Sequence, residues 1–154
     1  MGRLAVLVCS FGYVGFFPIA PGTAGSAAGV VLYLVLRHFG FASFELPLVV
    51  LLFGLGVWLG AAAEKALGCI DPGPVVIDEV LGMVLTLALL PLNWFGIAIG
   101  FAIFRALDVA KPYPARRLER LPGGLGMMTD DVMVAVYANL LLRTAYYLAP
   151  RLVS

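Results

Sequence analysis

The sequence is poor in charge. Only 12% of its 154 residues are Asp, Glu, Lys or Arg, whereas about a quarter of a typical soluble domain is charged. Hydrophobic residues make up 62% of the chain, and the mean hydropathy is +1.04. A net charge of +1 provides no electrostatic basis for a nucleic-acid partner. The composition therefore indicates a membrane protein.

Histidine and cysteine are scarce as well. His38 is the one histidine and lies in a predicted loop, so Ser-His-Asp and paired-histidine mechanisms are excluded. Cys9 and Cys69 lack CxxC spacing and are expected to pack among small apolar residues. Neither is followed six positions later by the arginine of a cysteine-phosphatase loop, and the DxDx[TV] pattern of aspartyl-phosphate phosphatases is absent. For a phosphate substrate, metal-assisted hydrolysis remains.

Long apolar runs dominate what is present. They cover residues 4–20, 27–36, 46–63, 80–104 and 132–149. The third and fifth approach the roughly 20 residues that a helix needs to span a bilayer. Pro and Gly follow the first run, so we expect it to be retained and not cleaved as a signal peptide. We predict one domain over residues 1–154, an all-α integral membrane helical bundle.

Two of these stretches are predicted to reverse direction. The segment "LLPLNWFG" interrupts the run 80–104, and proline followed by Asn and Gly favours a turn over a continuous helix. We predict a helical hairpin that reverses near Pro91–Trp94, with arms of about three apolar turns. A second reversal is predicted at "RHFGFASFELP". Together they bring the polar segments 18–26, 64–79 and 105–131 to one face of the bundle.

Basic residues indicate how that face is oriented. The segment 105–131 contains Arg105, Lys111, Arg116, Arg117 and Arg120. Because cytoplasmic loops are enriched in Lys and Arg, we expect the polar face to lie in the cytoplasm. Arg143 and Arg151 weigh against this orientation.

The acids are concentrated in the same polar segments. Eight of the nine fall there, including Asp71, Asp78, Glu79, Asp108, Asp130 and Asp131. Carboxylates near lipid are costly unless they are paired or bind metal, and oxygen ligands without a Cys/His set favour Mg²⁺, Ca²⁺ or Mn²⁺ over zinc. The acids predict a metal site. Its ligands would come from these six acids.

These acids also have a structural explanation. Asp130 and Asp131 follow Thr129 and could cap a final helix that begins there. Asp78 and Glu79 could form the first turn of a helix that begins near residue 78. Neither alternative explains why nearly every acid in the chain is used in this way.

The segment "FRALDVAKPYP" combines both signs of charge. Arg105, Asp108 and Lys111 are spaced by three, so they share a helix face and could form an ion-pair ladder worth a few tenths of a kcal/mol per pair. Near lipid, Asp108 could instead hold a metal while Arg105 and Lys111 neutralise phosphate oxygens. The prolines end the helix and place Lys111 at the mouth of the site.

Two glycine-rich segments, "PIAPGTAGSAAG" and "LPGGLGMMTDD", each lead into a predicted helix. Backbone N–H groups at such a start can bind an anion, and a hydroxyl can add to them. The candidate phosphate-binding residues are Gly22, Thr23, Gly25 and Ser26. For Gly25 to Gly29, tight helix packing in lipid is the alternative.

Four segments, "FPIAPGTAGS", "IDEVLG", "FRALDVAKPYP" and "GGLGMMTDDVMV", resemble in order and spacing the motifs of the bacterial phosphatidylglycerophosphatase A family. The resemblance runs from about Gly12 to beyond Val134. It implies a helical, Mg²⁺-dependent enzyme of the inner membrane that converts phosphatidylglycerophosphate in the bilayer to phosphatidylglycerol. Pro122 stands where the family commonly has a histidine.

The resemblance also implies site residues. The acidic centre would be Asp78, Glu79, Asp108, Asp130 and Asp131, with Arg105 and Lys111 as basic partners and Pro21–Thr23 with Gly25 and Ser26 as the phosphate-side loop. We expect in-line attack by an activated water, with Asp130 or Asp131 as general base, and an aspartyl-phosphate intermediate remains open. A cation transporter or channel subunit and a non-catalytic membrane scaffold are the rival functions.

Overall fold

A computed structural model of the chain describes residues 2–69 and 72–154. Asp71 therefore lies outside the described residues. All regular structure within them is helical, which confirms the all-α prediction. The helices are α1 (Gly2–Cys9), α2 (Pro21–His38), α3 (Glu45–Leu67), α4 (Ile77–Leu87), α5 (Trp94–Ala110), α6 (Ala115–Leu118), α7 (Gly124–Leu148) and α8 (Pro150–Val153).

Helix α4 forms the centre of the bundle. Nine of its 11 residues are buried, and it contacts α2, α3, α5 and α7. Its sequence is apolar on every face after the first turn, as expected of a helix surrounded by protein. Helix α1 packs against α3 on the outside. The polar first turn of α4 is thereby held at one end of the bundle with other helices around it.

Glycines allow the helices to approach α4 closely. A Cβ added at Gly25 would lie 2.7 Å from Val76 Cβ, and one at Gly29 would lie 2.7 Å from Met83 Cβ. No side chain fits at such distances, so both glycines are needed for the α2–α4 contact. The packing interpretation of Gly25 to Gly29 is confirmed.

The predicted hairpin within residues 80–104 is confirmed. Helix α4 ends at Leu87 and α5 begins at Trp94, after Asn93, whose side chain accepts a hydrogen bond from Gly96 N. The turn between them has its own polar partners, because Tyr33 Oη donates to Leu90 O at 2.6 Å and Leu89 N donates to Glu45 Oε2 at 2.8 Å. Such partners are required where irregular backbone lies within an apolar bundle.

The second predicted reversal is confirmed too. Helix α2 ends at His38 and α3 begins at Glu45, with a short 3₁₀ turn at Ala42–Phe44 between them. Arg37 Nε lies 2.6 Å from Glu45 Oε1 across this reversal. We name the residues around the two reversals, Arg37 to Glu45 and Ala88 to Asn93, the turn end of the bundle. His38 belongs to α2, not to a loop as predicted, and lies at this end.

Two segments are long and apolar enough to cross a membrane, Ala42–Leu67 and Gly124–Leu148. The first contains the predicted run 46–63, and the second contains the predicted run 132–149 except for its last residue. Exposed apolar residues such as Val50 and Trp58 on the first, and Leu140 on the second, are suited to contact with lipid. Helix α4 has 11 residues, about 16 Å at 1.5 Å per residue, which is too short to cross the hydrocarbon core.

The two cysteines differ in their environment. Cys9 is fully buried, as predicted for a packing residue, whereas Cys69 is exposed, and that prediction is wrong. Both are free thiols. Cys69 follows Gly68, the C-cap of α3, and has left the packed part of the helix.

Candidate active site

The end of the bundle opposite the turn end contains a cavity of about 430 Å³. We name it the acidic cavity. The N-termini of α2, α4 and α7 meet there with the C-termini of α3 and α5, so the predicted gathering of polar segments on one face is confirmed. Nine charged residues of the described chain line it: Glu64, Asp78, Glu79, Arg105, Asp108, Lys111, Glu119, Asp130 and Asp131.

The first turn of α4 contributes Asp78 and Glu79, so their predicted place at a helix start is confirmed. Burial raises the pKa of Glu79 to about 7; a hydrogen bond to Asp78 opposes the rise, and the charges of Asp131 and Asp108 add to it. Oε2 of Glu79 is buried and has no hydrogen-bond partner in the described part of the chain.

Gly22 brings the N-terminus of α2 against this turn. A Cβ added at Gly22 would overlap Glu79 Oε1 and would lie 3.1 Å from Arg105 Nη1. A side chain at this position would displace both charged groups. Gly22 therefore lines the acidic cavity as the phosphate-loop prediction requires, although its first effect is to let α2 approach the acids.

Asp130 and Asp131 lie deeper in their helix than the sequence suggested. Helix α7 begins at Gly124, with Gly123 as its N-cap, so the acids are its seventh and eighth residues and lie beyond the free N–H groups. The capping explanation is therefore wrong. Each is only 3% exposed. Oδ1 of Asp130 and Oδ2 of Asp131 are buried and find no hydrogen-bond partner within residues 2–69 and 72–154.

The ladder in "FRALDVAKPYP" is only half formed. Arg105 Nη1 pairs with Asp108 Oδ2 at 2.6 Å within α5. Lys111 does not extend this ladder, because α5 ends at Ala110 and Lys111 turns into the left-handed region with a φ of 42°. Its Nζ lies 2.7 Å from Asp130 Oδ2 and 2.8 Å from Glu119 Oε1.

Lys111 remains cationic in this position. Burial disfavours its charged form, but hydrogen bonds to Asp130 and Glu119 outweigh that cost and raise the pKa of Lys111 above its usual range. The ammonium is therefore available as a permanent positive charge at the acidic cavity.

Sequence reasoning missed two charged lining residues, Glu64 and Glu119. Both lie inside polar segments that were predicted to share the face. Glu119 is eight positions from Lys111, beyond helical spacing, and only the reversal at Lys111 to Pro114 brings the two together. A charge-balance argument over 105–131 could have found Glu119, whereas Glu64 carries no local motif.

Three predicted phosphate-binding residues lie away from the acidic cavity. Gly25 faces Val76 in the packed interface. Ser26 is buried, and its hydroxyl donates to Gly22 O at 2.9 Å within α2. Thr23 is exposed and lies outside the described cavity lining. Gly25 and Ser26 share a helix face with Gly22, but they lie one turn further along α2, where Gly25 meets Val76 and no acid of the cavity.

The carboxylate oxygens of the acidic cavity are of the chemical type that binds a divalent cation. Three buried carboxylate oxygens, on Glu79, Asp130 and Asp131, have no hydrogen-bond partner in the described structure, and hard cations prefer such oxygens. However, no three His, Cys, Asp or Glu side chains of the described residues already stand in a metal-binding arrangement. The chemistry of the ligands therefore fits Mg²⁺, while their spacing would have to contract around it.

Comparison with known proteins decides the family. The sequence model described as Phosphatidylglycerophosphatase A matches residues 7–146. The chain belongs to the phosphatidylglycerophosphatase A family. Phosphatidylglycerophosphatase A of Escherichia coli (strain K12) is 40% identical to this chain over 135 residues, which cover 85% of this chain and 76% of that protein.

Two further relatives are similar over most of their lengths. Phosphatidylglycerophosphatase A of Haemophilus influenzae is 38% identical over 149 residues, with 96% of this chain and 91% of that protein covered. A Bacteroides thetaiotaomicron protein named as a candidate phosphatidylinositol-3-phosphatase is 39% identical over 139 residues. The match covers 85% of this chain and 86% of that protein. No solved structure matches the chain.

Membership in the phosphatidylglycerophosphatase A family makes the chain a phosphoric monoester hydrolase of the lipid phosphatase class. Together with the two apolar spans it also indicates membrane association. The transporter and scaffold alternatives are therefore wrong. The transporter alternative would also require acids along the helices, whereas seven line one cavity at their ends.

Proposed function

We propose that the protein hydrolyses the terminal phosphomonoester of phosphatidylglycerophosphate to phosphatidylglycerol and phosphate, a step of phospholipid biosynthesis. The observation that supports this proposal most strongly is the acidic cavity, where side chains of the family motifs lie together at one end of the membrane helices. A lipid phosphate can reach such a site while its acyl chains stay in the bilayer. The names of the two phosphatidylglycerophosphatase A relatives support the substrate.

The charge balance of the cavity supports a metal cofactor. Seven carboxylates face two cationic side chains, so a phosphate dianion would be repelled without additional positive charge. We propose Mg²⁺ as that charge. The residues that would hold it are Asp78, Glu79, Asp108, Asp130 and Asp131. When bound, Mg²⁺ would neutralise phosphoryl oxygens and lower the pKa of a water molecule.

The protein's own groups would position the phosphoryl group. Arg105 and Lys111 would donate hydrogen bonds to its oxygens and offset the charge that develops in the transition state. The N-termini of α2, α4 and α7 add partial positive charge, roughly half an elementary charge per helix. Asp130 or Asp131, each with a buried oxygen lacking a hydrogen-bond partner in the described structure, would take the proton of the attacking water.

The same acids allow a covalent alternative, in which a carboxylate attacks phosphorus as the bond to the glycerol oxygen breaks and phosphatidylglycerol leaves; water would then hydrolyse the aspartyl phosphate to free phosphate and the carboxylate. Rapid acid quench after reaction with phosphorus-labelled substrate distinguishes the routes. Label retained on the protein would favour the covalent route, and label found only in released phosphate would favour attack by water.

We further propose that the acidic cavity faces the cytoplasm at the bacterial inner membrane. Arg116 and Arg117 in α6, and Arg120 just beyond it, are exposed and lie between Lys111 and Leu121, which both line the cavity. Positive residues concentrate on the cytoplasmic side of membrane proteins. Cysteine labelling at position 120 from either side of sealed vesicles, in a chain lacking Cys69, would test this orientation.

Phosphate release from phosphatidylglycerophosphate in reconstituted vesicles tests the function. We expect release with Mg²⁺ and none with EDTA, and slower release from phosphatidic acid and phosphatidylinositol-3-phosphate. The last lipid is included because of the Bacteroides relative. Faster turnover of either comparison lipid would contradict the proposed substrate, and full activity in EDTA would contradict the metal.

A further inference from the structure

Lys111 has two carboxylate partners with different exposure. Its Nζ lies 2.7 Å from Asp130 Oδ2 and 2.8 Å from Glu119 Oε1. The side chain of Asp130 is 4% exposed, whereas that of Glu119 is 42% exposed. Because water and salt compete with exposed ion pairs far more than with buried ones, the bond to Glu119 is the one more easily exchanged.

The backbone fixes Lys111 at the cavity. Its φ of 42° and ψ of 67° are unfavourable for a residue with a side chain, and such a conformation persists only where the surrounding structure imposes it. The Lys111 N–H donates to Leu107 O at 2.7 Å, which closes α5. The direction of the side chain is therefore set by the fold and its two carboxylate partners.

The position of Glu119 also depends on a close backbone contact. A Cβ added at Gly126 would overlap Leu121 O and would lie 2.7 Å from Glu119 O. The lack of a side chain at Gly126 thus lets residues 119–121 pack directly on α7, one turn before Asp130. Glu119 and Asp130 are held on two elements that this contact joins, with Lys111 between them.

We propose that Glu119 is a positioning residue that holds the Lys111 ammonium in the empty site and gives up this bond to a phosphoryl oxygen of the substrate. Asp130 keeps its own bond to Lys111 throughout. An ammonium group has three N–H donors, so it can retain Asp130 while it exchanges the other partner. The inference rests on the proposed function, and it predicts that Glu119 competes with phosphate for one cation.

Inorganic phosphate is the probe for this competition. Its dissociation constant would be measured by phosphorus NMR titration of the full chain in detergent micelles with Mg²⁺. Glu119→Gln keeps the shape and one acceptor oxygen but removes the negative charge. We expect it to bind phosphate about three- to fivefold more tightly, the range for loss of one exposed ion pair. Glu64→Gln, which removes the same charge from the same cavity, should change the constant less than about twofold.

Three results would overturn the inference. The first is phosphate binding by Glu119→Gln that is unchanged or weaker. The second is an equal gain in Glu64→Gln, which would show a general charge effect. The third is tighter phosphate binding by Lys111→Met/Glu119→Gln than by Lys111→Met alone. The proposed effect acts through the Lys111 ammonium and should therefore be absent when that group is removed.

A kinetic measurement separates this inference from the proposed function. With phosphatidylglycerophosphate, Glu119→Gln should lower KM by a larger factor than it changes kcat, which a purely structural role would not produce. If phosphatidylglycerophosphate is not hydrolysed but Glu119→Gln still binds inorganic phosphate more tightly, the proposed substrate is wrong. The proposed exchange of Glu119 for a phosphoryl oxygen at Lys111 would then still hold. If the lipid is hydrolysed and the phosphate constant is unchanged, only the exchange falls.

Discussion

The two ends of the helix bundle both bury carboxylates, but they treat them differently. At the turn end, Glu45 is fully buried, pairs with Arg37 at 2.6 Å and accepts a hydrogen bond from Leu89 N. At the acidic cavity, seven carboxylates meet two cationic side chains among the described residues. The buried acid at the turn end is balanced by one cation and stabilises the fold, whereas the excess of acids over cations at the cavity is the reason that we propose a cation there.

The largest effect is expected from neutralising acids of the cavity. Asp108→Asn and Asp130→Asn should each lower kcat/KM by about 10²–10³-fold or more, because each removes a charge that would act on the phosphoryl group or its metal. Phosphate release from vesicles measures the loss. Unchanged thermal unfolding would show that the variants still fold, and full activity in either would remove that residue from the site.

At the turn end, removing a buried carboxylate should lower the stability of the protein and leave its phosphatase activity largely unchanged. Glu45→Ala leaves Arg37 and Leu89 N without their acceptor, which should cost about 3 kcal/mol in unfolding free energy, as when a buried pair is broken. Denaturant unfolding in micelles would measure the loss. If Glu45→Ala instead abolished phosphate release without lowering stability, the distinction between the two ends would fail.

Gly22 tests how closely α2 must approach the cavity. Gly22→Ala would place a methyl group against Glu79 and Arg105 and should lower kcat/KM by about tenfold or more, since small displacements of catalytic groups are costly. Gly54→Ala in α3 is the matched control, because its Cβ would meet no atom of the described chain within 4 Å. That variant should be active and slightly more stable. Equal activity of both variants would show that the contact at Gly22 is dispensable.

The smallest of these effects is expected for the cation at the mouth of the cavity. Lys111→Ala should raise KM or lower kcat by up to about tenfold, because one donor to the phosphoryl oxygens is lost while Arg105 remains. Lys65→Ala, an exposed residue of α3, is the control and should behave as the unchanged protein. Kinetics on phosphatidylglycerophosphate measure both. If Lys111→Ala had the same kcat and KM as the unchanged protein, Lys111 would have only a structural role as an ion-pair partner.

Much of the fold follows from local sequence. Pro91 and Asn93 interrupt an apolar run that would otherwise form one helix, and the observed break lies at Ala88 to Asn93. The predicted reversals then require the motifs to share one end. The start of α7 differs from the prediction, because the helix begins at Gly124 and not after Thr129. The glycine-rich sequence predicts a loop there, but tertiary packing on Gly60 of α3 stabilises it as helix.

Residue composition alone limits the chemistry that the protein can use. It contains one histidine, two isolated cysteines and clustered acids, and these leave oxygen ligands and a few cations for phosphate chemistry. Periodicity and proline positions also determined that these residues lie at helix ends. Both properties depend on residue type and short-range spacing, which the chain carries without being folded.

Which charged side chains come into contact depends on the tertiary fold. It separated Lys111 from the ladder of Arg105 and Asp108 and placed it between Asp130 and Glu119. It also turned Gly22 towards the acids while Gly25 and Ser26 pack within the bundle. These outcomes depend on a left-handed residue at the end of α5 and on close contacts between distant helices, which no local pattern specifies.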